Sequence, residues 1–170
     1  MVNNKAVTFK KYVVDYPVAD EHFEYVTERE VSYDLKDGEV LTRNLYLSLD
    51  PYLRVKMRGL EENALFGRYP LGEPMENRGL GEVIASKNPA VPVGSVVDGF
   101  LRSEEYTLVS AGSPLTIIEG ARESKLPLSV YTGALGMPGF TAYGGLLVHG
   151  KPVAGETLYV SAASGAVGQL

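Results

Sequence analysis

"ETLYVSAASGAVGQL", residues Glu156 to Leu170, is the stretch on which the reading of this chain turns. Its first half, Thr157–Ala162, is rich in apolar, aromatic and β-branched residues, as in a strand buried inside a parallel sheet. Measured against the dinucleotide fingerprint G-x-G-x-x-G, the next six residues, Ala163-Ser164-Gly165-Ala166-Val167-Gly168, carry alanine in the first position. Gly165 lets a backbone approach a pyrophosphate, and Gly168 lets a new helix pack closely on its strand. N–H groups exposed at such a helix start favour an anion. A lone A-x-G-x-x-G is a weak motif, and the strand directly ahead of it adds weight. The stretch predicts strand, glycine turn and helix start, the entry into a βαβ unit.

Upstream, "LPLSVYTGALGMPGFTAYGGLLVHG" (Leu126 to Gly150) places small and apolar residues at helical spacing. Pro138 suits a helix start and Gly150 a stop. The pair Gly144-Gly145 weakens the helix interior, each glycine costing roughly 0.5–1 kcal/mol relative to alanine unless packing needs it small.

The first two thirds of the chain read differently. "AVTFKKYVV" (Ala6 to Val14), "FEYVTEREV" (Phe23 to Val31), a long strand after the Asp37-Gly38 turn, "GLGEVIASKN" (Gly79 to Asn88), "GSVVDGFL" (Gly94 to Leu101) and "EEYTLVS" (Glu104 to Ser110) are short β segments separated by turn residues. Their spacing is that of an antiparallel sandwich or barrel. The segment Glu62 to Gly79, with Gly, Pro and Asn throughout, reads as an irregular loop, either functional or a plain surface excursion.

Composition bounds the function classes. A formal net charge of −5 and the absence of clustered Lys/Arg argue against a nucleic-acid partner; the three positive charges of "LRVKMRG" (Leu53 to Gly59) read as an ordinary solvated face. No window reaches the roughly 20 apolar residues of a membrane span, and the N-terminus lacks a signal-peptide pattern, so a cytoplasmic protein is expected. With no cysteine there is no thiolate nucleophile and no Cys-ligated zinc in this stretch, and His22 and His149 have no spacing partner.

Three stretches in one order, "NLYLSLDPYLRVKMRG" (Asn44 to Gly59), "LGMPGFTAYGGL" (Leu135 to Leu146) and "SAASGAVGQL" (Ser161 to Leu170), resemble the zinc-independent medium-chain dehydrogenase/reductases of the leukotriene/prostaglandin reductase and alkenal double-bond reductase type. The resemblance covers nearly the whole chain. It implies a mostly β, GroES-like barrel domain over residues 1–135, followed at 136–170 by a linking helix and the truncated start of an α/β Rossmann domain. The implied cofactor is NADPH/NADP, delivering hydride to the β-carbon of a small-molecule enal or enone. Full-length members of the family are homodimers.

Residue by residue, the resemblance matches Tyr52, in "DPYLR", to a tyrosine lining the substrate pocket; a strand-end core aromatic is the structural alternative. Met137 and Thr141 match positions near the nicotinamide, and Ala162, Ala163, Ser164, Gly165, Ala166, Val167 and Gly168 match the pyrophosphate turn. It assigns no catalytic residue within this chain, because the tyrosine usually nearest the substrate carbonyl belongs to the later Rossmann portion. Where zinc-dependent relatives carry Cys and a G-H-E-G-x-G stretch, this chain has Leu47 and Glu76-Asn77-Arg78-Gly79-Leu80-Gly81, so no metal site is expected. Two other readings stand beside an enal/enone reductase: a quinone reductase of the same superfamily, and a non-catalytic GroES-like module. The 170-residue chain alone is expected not to turn over, and its NADPH affinity to be weak.

Overall fold

The structure, a computed structural model of the chain, describes residues 1–59 and 67–170. It divides into two compact units, Met1–Glu119 and Gly120–Leu170.

Among the described residues of the first unit there are nine strands: β1 Val2–Asn3, β2 Ala6–Phe9, β3 Phe23–Val26, β4 Glu30–Val31, β5 Val40–Leu47, β6 Glu76–Ser86, β7 Val96–Arg102, β8 Tyr106–Val109 and β9 Leu115–Ile117. Two single-turn helices, α1 Ala19–His22 and α2 Leu53–Lys56, interrupt them. The main sheet has five strands in the order β8-β5-β6-β7-β9, and every pairing is antiparallel. The predicted antiparallel β character is therefore present, and its cause is visible in the alternation. Along β7, Val97, Gly99 and Leu101 are buried while Asp98 and Phe100 are less so, the period of two that one covered sheet face imposes. Val40, Val83, Val91, Val97, Leu101 and Val109 close the core of this sheet.

A second core joins Phe9 and Val13 to Leu53 and Tyr69. Phe9 sits edge-on to both Tyr12 and Tyr69, with ring centroids 5.7 and 5.8 Å apart, a favoured aromatic geometry. The N-terminal strands are tied to the β7–β8 turn: the Val7 N–H donates to Ser103 O at 2.8 Å and the Glu105 N–H to Lys5 O at 2.9 Å. Asn4 adds side-chain bonds to Glu104 Oε2 at 3.0 Å and to both backbone groups of Tyr106 at 2.9 Å.

Several strand expectations need correction. "AVTFKKYVV" is a strand only over Ala6–Phe9, because Lys10 N–H bonds to His22 O and Val13 N–H to Met57 O, drawing the chain off toward α2. "FEYVTEREV" divides into β3, paired with β2, and β4, paired with β1. Of the loop expected over Glu62 to Gly79, residues 62–66 lie outside the described residues, and Glu76–Gly79 belongs to β6, where Glu76 faces Arg102 and Gly79 faces Gly99.

In the second unit, α3 spans Met137–Tyr143 with Pro138 in its first turn, and helical structure continues to Gly150, both ends as predicted. From Gly144 the hydrogen bonds widen to five-residue spacing, as in Lys151 N–H to Leu146 O at 2.9 Å. The widening begins at the Gly144-Gly145 pair, where no side chain resists the looser coil.

The strand expected at Thr157–Ala162 does not form. These residues are exposed and enter no ladder, and the predicted helix after Gly165 is replaced by successive turns. A parallel strand depends on neighbours for its backbone hydrogen bonds, and the second unit has no strand among its described residues to supply them.

Candidate functional site

The turn that leaves β5 carries the predicted pocket residue. Ser48 N–H donates to Arg78 O at 2.7 Å, anchoring the exit, and Ser48 Oγ donates to Asp50 Oδ1 at 3.0 Å. Leu53 N–H then closes on Asp50 O at 3.1 Å and Val55 N–H on Tyr52 O at 2.9 Å, starting α2, while Leu53 is buried in the aromatic core. Tyr52 is half-buried against the same core. Burial first, and then the charges of Asp50 and Glu76, push its phenol above the ordinary tyrosine value; a hydrogen bond with the Arg78 backbone and the Arg78 charge oppose the shift. The net effect keeps Tyr52 a neutral phenol. The Asp50 Oδ2 and Arg54 Nη1 atoms on this turn are buried without a hydrogen-bond partner among the described residues.

Beside this turn lies an open, mostly apolar groove of about 560 Å³, walled by Leu45, Tyr46, Leu47, Leu49 and Met75, with Ser103 and Glu104 at a polar margin. Leu49 is 86% exposed. Leu47, read in the sequence only as the residue standing where a zinc ligand would be, is one wall. The other such position, Asn77, is buried, and its amide donates to Ser103 Oγ at 2.7 Å. Among the described residues no three His, Cys, Asp or Glu side chains cluster in a way that could hold a metal ion.

Gly79 fixes how closely the groove wall is built. A Cβ there would lie 2.5 Å from Tyr46 O and 2.8 Å from Leu47 Cδ2, so β5 and β6 meet at this point only through glycine. Next to it, Arg78 Nε bonds both oxygens of Asp98 at 2.9 and 3.1 Å, and its guanidinium lies 5.4 Å from the Phe100 ring centre. Leu49 and Met75 were not legible as site residues: an exposed leucine in a turn becomes a wall only once the chain is folded.

The remaining predicted residues are in the second unit. Met137 and Thr141 share one turn of α3, and the Thr141 hydroxyl donates to Met137 O at 2.8 Å. Ala162, Ala163, Ser164, Gly165, Ala166, Val167 and Gly168 fold into one compact turn. Gly165 N–H closes on Ala162 O at 2.9 Å, and a Cβ on Gly168 would come within 2.4 Å of that same oxygen. Gly168 thus sits at a close backbone approach, and Gly165 is exposed.

Comparison with known proteins agrees in extent. The family model for the N-terminal domain of oxidoreductase matches residues 5–118. The chain is 41% identical over 172 residues to 2-alkenal reductase (NADP(+)-dependent) of Nicotiana tabacum, covering 99% of this chain and 48% of that protein. It is 40% identical over 172 residues to prostaglandin reductase 1 of Bos taurus, covering 100% and 48%. Among solved structures, CurA from Vibrio vulnificus in complex with NADPH superposes with a TM-score of 0.80 at 33% identity, covering 96% of this chain and 46% of that one. The chain spans about half the length of the relatives it matches. On the match over residues 5–118, the chain belongs to the family of oxidoreductase N-terminal domains, and its likeness is to reductases of the alkenal and prostaglandin type.

Proposed function

We propose that this chain is the N-terminal part of a cytoplasmic, zinc-independent reductase that uses NADPH to saturate the double bond of an α,β-unsaturated aldehyde or ketone. The observation that carries the reading is the likeness, over essentially the whole chain, to proteins named 2-alkenal reductase and prostaglandin reductase. In this reading residues 1–135 form a GroES-like barrel that builds one wall of the substrate cleft. Residues 136–170 are the entry to a Rossmann domain, whose first strand, Thr157–Ala162, orders when parallel neighbours pair with it. The complete enzyme is a homodimer.

The local geometry of Ala162–Gly168 fits a pyrophosphate: a glycine-tight turn, exposed, on which further side chains would intrude. Met137 and Thr141 would flank the nicotinamide. When bound, that group supplies the hydride that reaches the substrate β-carbon. The chain's own residues do the rest of the positioning on this side. Tyr52, on the turn beside the groove and held as a phenol, has a proton to donate in a hydrogen bond that would stabilise oxygen charge as the enolate develops. Leu47 and Leu49 bind the alkyl portion and exclude water. The substrate α-carbon then takes up a proton.

The test is an assay of the protein that carries this chain, with NADPH and a straight-chain 2-alkenal, following cofactor oxidation and the saturated aldehyde. Saturated product is the expected result. Turnover of quinones with none of alkenals would transfer the reading to a quinone reductase, and no turnover of either would leave a non-catalytic module.

A further inference from the structure

The β5–β6 ladder ends on Arg78. Its last paired residues are Leu47 and Gly79, and one step further Ser48 N–H donates to Arg78 O at 2.7 Å. In an antiparallel ladder the N–H and C=O of one residue point to the same neighbour, so the Arg78 N–H also faces the edge from which β5 turns away. Its acceptor comes from the turn itself: the Tyr52 phenol oxygen takes a hydrogen bond from the Arg78 main chain.

This bond constrains the hydroxyl. A phenol has one proton to give, and an amide N–H cannot accept it. With the oxygen held as the acceptor for Arg78, the O–H proton is left for a group outside that bond. The tyrosine is thus fixed at both ends, its ring against the aromatic core of Phe9, Val13, Leu53 and Tyr69 and its oxygen by an amide of the sheet.

The Arg78 side chain is held in place as well. Its Nε bonds both Asp98 oxygens at 2.9 and 3.1 Å, and the guanidinium lies 5.4 Å from the centre of the Phe100 ring. Asp98 and Phe100 both stand on β7, the strand paired with β6. Burial, Asp50 and Glu76 disfavour negative charge on the Tyr52 oxygen; the Arg78 amide and then the Arg78 guanidinium favour it.

We propose that Arg78 is a positioning residue for Tyr52: its main-chain N–H fixes the phenol oxygen so that the hydroxyl proton is left for a substrate carbonyl, and its guanidinium, held by Asp98, favours the charge drawn onto that oxygen as the proton is shared. Tyr52 becomes the stronger donor. The assignment rests on the reductase reading.

Two measurements test it. In the full chain, Tyr52→Phe should speed hydrogen exchange at the Arg78 amide about fivefold or more, the worth of one hydrogen bond, while the Ser48 amide keeps its protection. In the complete enzyme, Arg78→Gln and Tyr52→Phe form a double-mutant cycle read as kcat and KM for a 2-alkenal. Arg78→Gln should lower kcat about threefold or more with KM little changed, because its charge acts only as oxygen charge develops. It should cost nothing further once Tyr52 is replaced. Equal losses in both backgrounds, no loss in either, or an Arg78 amide indifferent to Tyr52→Phe would overturn the proposal. Exchange is read without turnover, so an enzyme inactive on alkenals whose Arg78 amide still responds would refute the reductase reading, and the role of Arg78 in it, and leave the Arg78–Tyr52 bond standing. Should Arg78→Gln fail to fold, the exchange measurement decides: acceleration at Arg78 alone supports the proposal, and its absence refutes it.

Discussion

The side-chain amide of Asn4 donates to the Glu104 carboxylate at 3.0 Å across one hundred residues of sequence. Both groups are buried, Asn4 at 3% exposure and Glu104 at 9%. Each supplies the other with a partner that water cannot provide there. Asn4→Ala removes this bond and two more to Tyr106, leaving a buried charge with fewer donors. Equilibrium urea denaturation at neutral pH should show a loss of about 2–3 kcal/mol.

Glu104 also makes stability depend on pH. Burial, the largest influence, raises its carboxyl above the ordinary value of 4.5, against opposing contributions from Arg102, Arg29, Asn4 and Thr107. With the folded value above the unfolded one, the folded state binds the proton more tightly. Its contribution is fully present below pH 4.5 and is lost as pH rises through the folded value. Glu104→Gln keeps an acceptor for Asn4 without the charge, so it should melt higher than wild type at pH 7, with the gap narrowing toward pH 4. Thermal melts at both pH values check this; a gap independent of pH would contradict it.

Gly79→Ala places a methyl within 2.5 Å of Tyr46 O. The β5–β6 pairing must open there, with a cost of about 1–3 kcal/mol and a displaced Leu47. Chemical denaturation gives the energy, and amide exchange at Leu47 and Ser48 should speed up where distant strands such as β8 and β9 do not.

Leu49 separates binding from stability. At 86% exposure it adds little to folding, so Leu49→Ser should change stability by less than about 0.5 kcal/mol. In the complete enzyme the same change should raise KM for long alkenals, by a factor that grows with chain length. Equal effects on short and long substrates would remove Leu49 from the groove's role.

Tyr52→Phe retains the packing against the aromatic core of Phe9, Val13, Leu53 and Tyr69 and removes the proton donor. The complete enzyme should lose kcat/KM by about tenfold, the worth of one hydrogen bond at a developing charge, with little change in melting temperature. Because burial, Asp50 and Glu76 raise the Tyr52 phenol, no alkaline loss of activity from this group is expected below pH 10. A profile of kcat/KM from pH 6 to pH 9.5 is the measurement.

The β pattern of the first unit could be read from the sequence because alternation along β7 and β8 follows one covered face, and the turn before β5 announces itself as Asp37-Gly38. Helix limits at Pro138 and Gly150 were legible for the same local reason. What failed depends on distant partners. Lys10–Val14 is strand-like in composition but is captured by His22 and Met57, and Thr157–Ala162 is strand-like without a neighbour. The site divides in the same way. Tyr52 and the glycine turn carry local motifs, whereas Leu49 and Met75 acquire meaning only from what the fold sets beside them.

The bonds from Lys5 and Val7 to Ser103 and Glu105 set a timetable for biosynthesis. At ribosomal speeds of roughly 5–20 residues per second, the segment that completes the first strands emerges roughly 5–20 s after them. The β2–β3 hairpin can form early, since its partners are close in sequence, but its outer edge stays naked for that interval. The nascent protein therefore passes through a stage in which the edge of β2 is unpaired, and protection of that edge during translation governs how much chain survives to fold.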